Sequence, residues 1–269
     1  MRKIVSAVLA AIIMAATATA HAHNRVRLQG EVSVEIVSDQ GSALVTIPHK
    51  DFWSNGTRTI KKYLEARRGE NYGIVIRNTT PERIGVVVAV DGRNIISGKR
   101  SDLKNTEDMY IVDGFGRTQY DGWRTDKDTV HRFFFTDPAD SYSVRTFQDS
   151  SAMGVIAVAV YREKERPRPR QEMKKQESAP AAPSMQGAGR DKSLSSKDET
   201  AGTGFGDSRY SPTIRVAFEP ELAPAQKTLL KYEWRETLCR KGILSCGERT
   251  GNRLWDNDGY APYPPGYRN

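Results

Sequence analysis

Apolar and polar residues alternate with a period of two along much of residues 31–161. From Glu31 the chain reads Glu-Val-Ser-Val-Glu-Ile-Val. Successive side chains of a strand point to opposite sides, so Val32, Val34 and Ile36 fall on one face of a half-buried strand. Ala43–Ile47 predicts a second strand, reached through the turn-forming Ser38-Asp-Gln-Gly41. Tyr72–Asn78 and Ile84–Asp91 predict two more, joined by Thr79-Thr-Pro-Glu82. The latter strand is apolar on both faces, as a central strand is. Asp91-Gly92 is a hairpin signal, and Ile95-Ile96 continues beyond it. Met109–Val112, Val130–Phe135 and Gly154–Tyr161 add three segments rich in branched and aromatic residues. Only Thr59–Arg68 has helical spacing in this half, with Ile60 and Leu64 four apart and Gly69 placed to cap it.

About eight short strands separated by turn signals predict an all-β fold, an antiparallel β-sandwich or jelly-roll-like domain over residues 23–162. At Glu163 the texture changes. Pro, Lys, Arg, Gln, Ser, Ala and Gly dominate, and so little apolar surface does not offset chain entropy. Residues 163–210 are therefore expected to be a disordered linker, in which Gly202-x-Gly-x-Gly206 reads as linker glycine. Order is expected again over 211–269. Pro212–Phe218 alternates like a strand, and Ala223–Lys241 suits an amphipathic helix or an extended arm. A segment this small is marginal alone. It is expected to pack on the sandwich as a C-terminal extension, with Ile214–Phe218 pairing an edge strand.

The N-terminus reads as an export signal. Met1-Arg2-Lys3 is cationic, Ile4–Ala16 is an apolar run too short to span a bilayer, and Ala18-Thr-Ala20 or Ala20-His-Ala22 offers small residues for cleavage. Residues 1–22 are thus a predicted signal peptide, with the mature chain starting at His21 or His23. No later segment has the length of a membrane span, so an exported, periplasmic or extracellular protein is expected.

Net charge is +8, with 41 basic and 33 acidic side chains. A phosphate-binding surface needs clustered Lys and Arg. Residues 23–161 carry 19 basic against 18 acidic side chains, and most of the excess lies in the signal, the linker and the tail. Nucleic acid is therefore not an expected partner of the domain.

Residues 84–162 resemble a family of exported, mostly proteobacterial proteins to which no function is attached. The resemblance is carried by Ile84-Gly-Val-Val-Val-Ala-Val-Asp-Gly92, Asn94, Gly98, Asp121-Gly-Trp-Arg124 and Phe133-Phe-Phe-Thr136. Ser141-Tyr142, Arg145-Thr146 and Gly154-Val-Ile-Ala-Val-Ala-Val160 extend it. Lys231-Tyr-Glu-Trp-Arg-Glu-Thr-Leu-Cys-Arg240, with Cys246, Asn252-Arg253 and Trp255, is similar to the tail of such proteins. The resemblance implies a compact β-rich exported domain with a C-terminal extension. It brings no catalytic residue.

Candidate chemistry is sparse. Cys239 and Cys246, seven apart in an exported chain, are expected to form a disulfide, because a redox pair normally shows Cys-x-x-Cys. An N-terminal histidine offers an amine and an imidazole, so His23 with His49 or His131 is a candidate copper brace; otherwise His21 and His23 merely border the cleavage site. Asp121, Asp126, Asp128, Asp137 and Asp140 are candidate carboxylates for glycosidic acid–base work, although loop aspartates mostly cap turns. Trp53, Tyr72, Tyr120, Trp123 and Phe133–Phe135 are candidates for a sugar-stacking platform or for the core. Tyr120, Asp121, Trp123 and Arg124 form the favoured ligand site, because Gly122 beside Trp123 suggests an exposed turn. No nucleophile elbow, phosphate loop or dinucleotide fingerprint occurs. The expectation is a module without cofactor or catalysis that contacts an envelope protein or a glycan. The alternative is a polysaccharide-binding or polysaccharide-active protein using carboxylates or N-terminal-histidine copper chemistry.

Overall fold

The structure, a computed structural model, describes residues 32–164 and 200–246. The predicted signal peptide, residues 165–199 of the expected linker and the tail from 247 lie outside the described residues. Among the described residues no helix is long and apolar enough to cross a membrane.

The first strands are β1 (Val32–Ser38), β2 (Thr46–Ser54), β3 (Thr57–Ala66), β4 (Asn71–Asn78), β5 (Ile84–Val90), β6 (Arg93–Asn94) and β7 (Tyr110–Val112). Then come β8 (Arg117–Tyr120), β9 (Gly122–Arg124), β10 (Thr129–Thr136), a 3-10 turn (Pro138–Asp140), helix α1 (Tyr142–Phe147) and β11 (Val155–Arg162). After the gap follow β12 (Gly202–Thr203), β13 (Ser208–Tyr210), β14 (Gln226–Trp234) and helix α2 (Arg235–Arg240). They build two seven-stranded sheets. Sheet one runs β1-β4-β10-β12, with β8 on β4 and with β9 and β13 on β10. Sheet two runs β2-β3-β14-β11-β5-β6, with β7 on β5. Val34, Ile36, Ile74, Ile76 and Phe133 of sheet one meet Leu64, Val86, Val88, Ile156 and Leu230 of sheet two in one core. The expected all-β sandwich is the observed fold.

The alternating segments form strands where expected. At the β5–β6 turn Asp91 and Gly92 both take positive φ, 48° and 76°, the twist that joins strands most tightly. Ala43 makes only an isolated bridge to Val37, and β2 starts at Thr46 rather than within Ala43–Ile47.

Three expectations are corrected. Thr59–Arg68 is not a helix but most of β3. Ile60, Lys62, Leu64 and Ala66 alternate with the outer residues, and β3 pairs β2 on one side and β14 on the other, so pairing overrides the helical spacing. Pro212–Phe218 is not a strand and pairs with no edge strand. Ser211 and Thr213 reach the Asp128 and Lys127 carbonyls, Arg83 holds the Ala217 carbonyl, and Ile214 is 82% exposed. Scattered anchors replace a ladder there. The strand of this region is β14, inside the stretch expected as helix or arm. It lies parallel to β3 and antiparallel to β11 in the middle of sheet two. Thr228, Leu230, Tyr232 and Trp234 are buried on one side at a period of two, whereas the helical reading mixed both sides.

Residues 200–210, expected to end the linker, contribute β12 and β13 to sheet one. Gly204 passes so close to the Phe134 ring that a β-carbon there would overlap it, and one on Gly202 would sit 2.8 Å from the Ser141 β-carbon. The glycines are packing contacts rather than spacer.

Cys239 and Cys246 form the expected disulfide, with α-carbons 5.5 Å apart. It closes the turn after α2, whose Leu238 is buried. Closing so short a loop limits the unfolded chain only modestly. Replacing both cysteines by serine is expected to lower unfolding free energy by about 2–3 kcal/mol in urea titrations; an unchanged midpoint would show that the bond constrains nothing.

Candidate functional site

The favoured ligand site is fastened into the fold. Gly122 and Trp123 belong to β9, which pairs with β10. A β-carbon on Gly122 would collide with the His131 carbonyl oxygen, so the glycine serves close backbone approach and not an exposed turn. Trp123 is 2% exposed, donates Nε1–H to the Gly204 carbonyl at 3.0 Å and meets Phe133 edge-on. Tyr120 is buried and stacks on Tyr110, ring centroids 4.4 Å apart. Arg124 donates to the Tyr110 hydroxyl at 2.7 Å and to the carbonyls of Asp126, Lys127 and Ser211. Asp121 pairs with Arg209 at 3.0 Å. Asp121, Trp123 and Arg124 hold residues 204–211 onto sheet one, Tyr120 packs on Tyr110, and the four present no stacking surface. Tyr72, Phe133 and Phe135 likewise fill the core.

His23 lies outside the described residues. His49 is on β2 of sheet two, with its ring edge-on to Tyr63 at 5.1 Å. His131 is on β10 of sheet one, where Nδ1–H donates to the Gly206 carbonyl at 2.9 Å and the ring stacks on Phe205. The two are thus placed on different sheets. Asp126 accepts from the Lys127 amide, and Asp137 pairs with Arg68. Among the described residues no group of three His, Cys, Asp or Glu side chains is arranged to hold a metal.

A buried polar network was not read from the sequence. Asp91, 1% exposed, accepts from the Gly154 amide (2.7 Å), the Thr203 amide (2.7 Å) and the Tyr232 hydroxyl (2.6 Å). With the Tyr232 proton directed to Asp91, Thr203 Oγ1 donates to Tyr232 at 2.6 Å and Tyr72 donates to Thr203 at 2.8 Å. Burial pushes the Asp91 carboxyl up to about 6, against the Tyr232 hydroxyl and the two amides that hold it down. Burial also pushes both phenols well above their ordinary values. Such a chain of donors is stronger than separate bonds in a low-dielectric interior. Its members are all buried, so it joins the sheets rather than meeting a substrate.

Besides exposed Phe115 and the exposed Tyr210 of sheet one, a group of exposed side chains gathers on one flank of sheet two. Among the described residues β2 pairs only with β3, and seven of its nine residues are exposed. A positive-φ Asn55-Gly56 turn closes this hairpin, and Phe52 and Trp53 beside it are 43% and 44% exposed. Leu64, Leu230 and Tyr232 point into the core, so the residues between them face outward. One outward row crosses five strands: Lys50 on β2, Lys61 on β3, Leu229 on β14, Ala157 on β11 and Ala89 on β5. The row runs into an apolar cleft of about 260 Å³ between Ala89, Ala157, Leu229 and Leu103. Lys227 faces out two residues along β14 from Leu229. No family model, curated protein or solved structure matches the chain, so this chemistry is read from its own residues.

Two outcomes follow. Gly122→Ala forces β9 away from β10 and is expected to cost more than about 2 kcal/mol in thermal unfolding, since backbone has no rotamer to yield; an unchanged Tm would show that the strands separate freely. Asp91→Ala strands three buried donors and is expected to cost at least about 3 kcal/mol. Because Asp91 binds its proton more tightly folded than unfolded, its contribution to stability is greatest at acid pH and declines as pH rises through about 4–6. Urea midpoints across that window should lose this slope in Asp91→Asn; a slope that persists there assigns it to other groups.

Proposed function

We propose that this chain is an exported, non-catalytic β-sandwich module that contacts an envelope or surface partner through the β2–β3 flank of sheet two. The observation that carries the reading is that flank: an edge strand with Phe52, Trp53 and His49 beside lysines that have no carboxylate partner among the described residues. Groups that elsewhere suit catalysis, Asp91 and Asp121 among them, are engaged in holding the fold. The cationic start and apolar run of residues 1–22 support export to the periplasm or beyond. The resemblance to exported proteobacterial proteins points the same way. A polysaccharide partner is the second reading. It moves from Trp123 to Trp53 and Phe52, whose exposed rings suit sugar stacking.

Expression in a bacterial host with fractionation tests this. The mature chain is expected in the periplasm or medium and retained on washed envelopes, and Phe52→Ala/Trp53→Ala is expected to release it. Glycan-array signal lost in the same variant would make the partner a polysaccharide. Cytoplasmic location, unchanged retention, or turnover of a polysaccharide or peptide library by the purified protein would overturn the reading.

A further inference from the structure

The outward row on sheet two changes character along its length. At one end Lys50 and Lys61 are direct cross-strand partners, a like-charge pairing that is unfavourable without an anion near it. Lys227 stands two residue pairs along the ladder, on the same face. None of these three has a carboxylate within salt-bridge distance among the described residues. The carboxylates on that face are already matched: Glu65 pairs with Arg235 at 3.1 Å and Glu233 with Lys241 at 2.6 Å. At the other end the cleft is walled by Leu103, Ala152, Val155 and Leu229 over a floor of Ala89 and Ala157. Its one carboxylate, Asp102, is paired with Lys104 at 3.1 Å. Leu229, which lines the cleft, is the direct partner of Lys61. Neighbouring strands lie about 4.8 Å apart, so the cation stands one strand from the cleft.

We propose that this face binds a single-chain anionic amphiphile of the fatty-acid class, with its alkyl chain in the cleft and its carboxylate on Lys61, Lys227 and Lys50. The inference rests on the reading of this flank as the binding surface and names what it holds. Charge decides the head: three cations without carboxylate partners attract an anion. Size and lining decide the tail. About 260 Å³ is below the roughly 300–1,000 Å³ of pockets for drug-sized ligands. The walls, mostly alanine, valine and leucine, offer little hydrogen bonding to a sugar ring, whereas an alkyl chain asks for none. Smallness along the row matters here, because a side chain longer than alanine at 157 would fill the cleft.

Calorimetry on the purified mature protein, with sodium decanoate below its micelle concentration, tests this. Decanoate is expected to bind. Octanoate, two methylenes shorter, should bind about tenfold more weakly. Decyl maltoside, with the same tail and no charge, should also bind at least about tenfold more weakly. Lys61→Glu should weaken decanoate by about tenfold or more, and Ala157→Leu should abolish it. Lys61→Glu lies on the surface and keeps the test decisive even where Ala157→Leu fails to fold. Absence of decanoate binding, equal affinity in Lys61→Glu, or equal affinity for decyl maltoside would overturn the proposal. Binding to phosphatidylglycerol vesicles that survives Ala157→Leu would replace the cleft by a lipid surface and equally overturn it. If decanoate does not bind while envelope retention still depends on Phe52 and Trp53, the ligand falls and the flank stands. If retention is also unchanged, both fall.

Discussion

A carboxyl group buried between two sheets has no water to satisfy it, and this one is placed where four distant segments must converge to do so. Asp91 turns the β5–β6 hairpin, Gly154 opens β11, Thr203 lies on β12 and Tyr232 on β14. Tyr72 of β4 completes the chain of donors. Leaving any of these groups unpaired in the interior costs more than making the bond returns. The network therefore selects one arrangement of the sheets and requires residues 200–234 to join the strands built from residues 32–162. The Trp123–Gly204 bond, the Arg124–Ser211 contacts and the Gly204–Phe134 approach follow the same path. They lay the returning chain along sheet one before β14 enters sheet two.

The C-terminal part is thus no accessory to a finished sandwich. β14 occupies the middle of sheet two, flanked by β3 and β11. The outer face of sheet two carries a mixture of surface chemistry assembled from five strands. That face has an apolar end near β5 and a cationic, aromatic end near β2. The bulge between Pro48 and Lys50 and the lysines themselves also guard the open edge of β2 against pairing with another chain. Presentation of side chains and protection of the backbone are compatible there because they use different atoms of the same strand.

The strands legible in the sequence were those whose burial is decided locally. β1 alternates, β5 and β11 are apolar on both faces, and Asp91-Gly92 announces its turn. β3 was misread because Ile60 and Leu64, four apart, satisfy a helix face and every second position of a strand equally. β14 was hidden because its outer face carries Leu229, which blurs the period of two. The Asp-Gly-Trp-Arg site was misplaced for a physical reason. Glycine permits both a turn and a backbone contact, and only the partner strand tells which. Of the outer face, Trp53 was legible as a candidate and His49 as a residue of note. The row from Lys50 to Ala89 was not, because it is assembled from five strands by register alone.

The parallel pairing of Gln226–Trp234 with Arg58–Ala66 joins segments far apart in the chain. A ribosome delivers β3 long before β14. Through that interval β3 and β11 each display an unsatisfied edge beside an apolar face, the geometry most prone to pairing with the wrong chain. Closing so long a loop also makes this step slow relative to the hairpins. The timetable of synthesis, and not only the final energy, therefore bears on this topology: the sandwich is a clasp whose tongue arrives last.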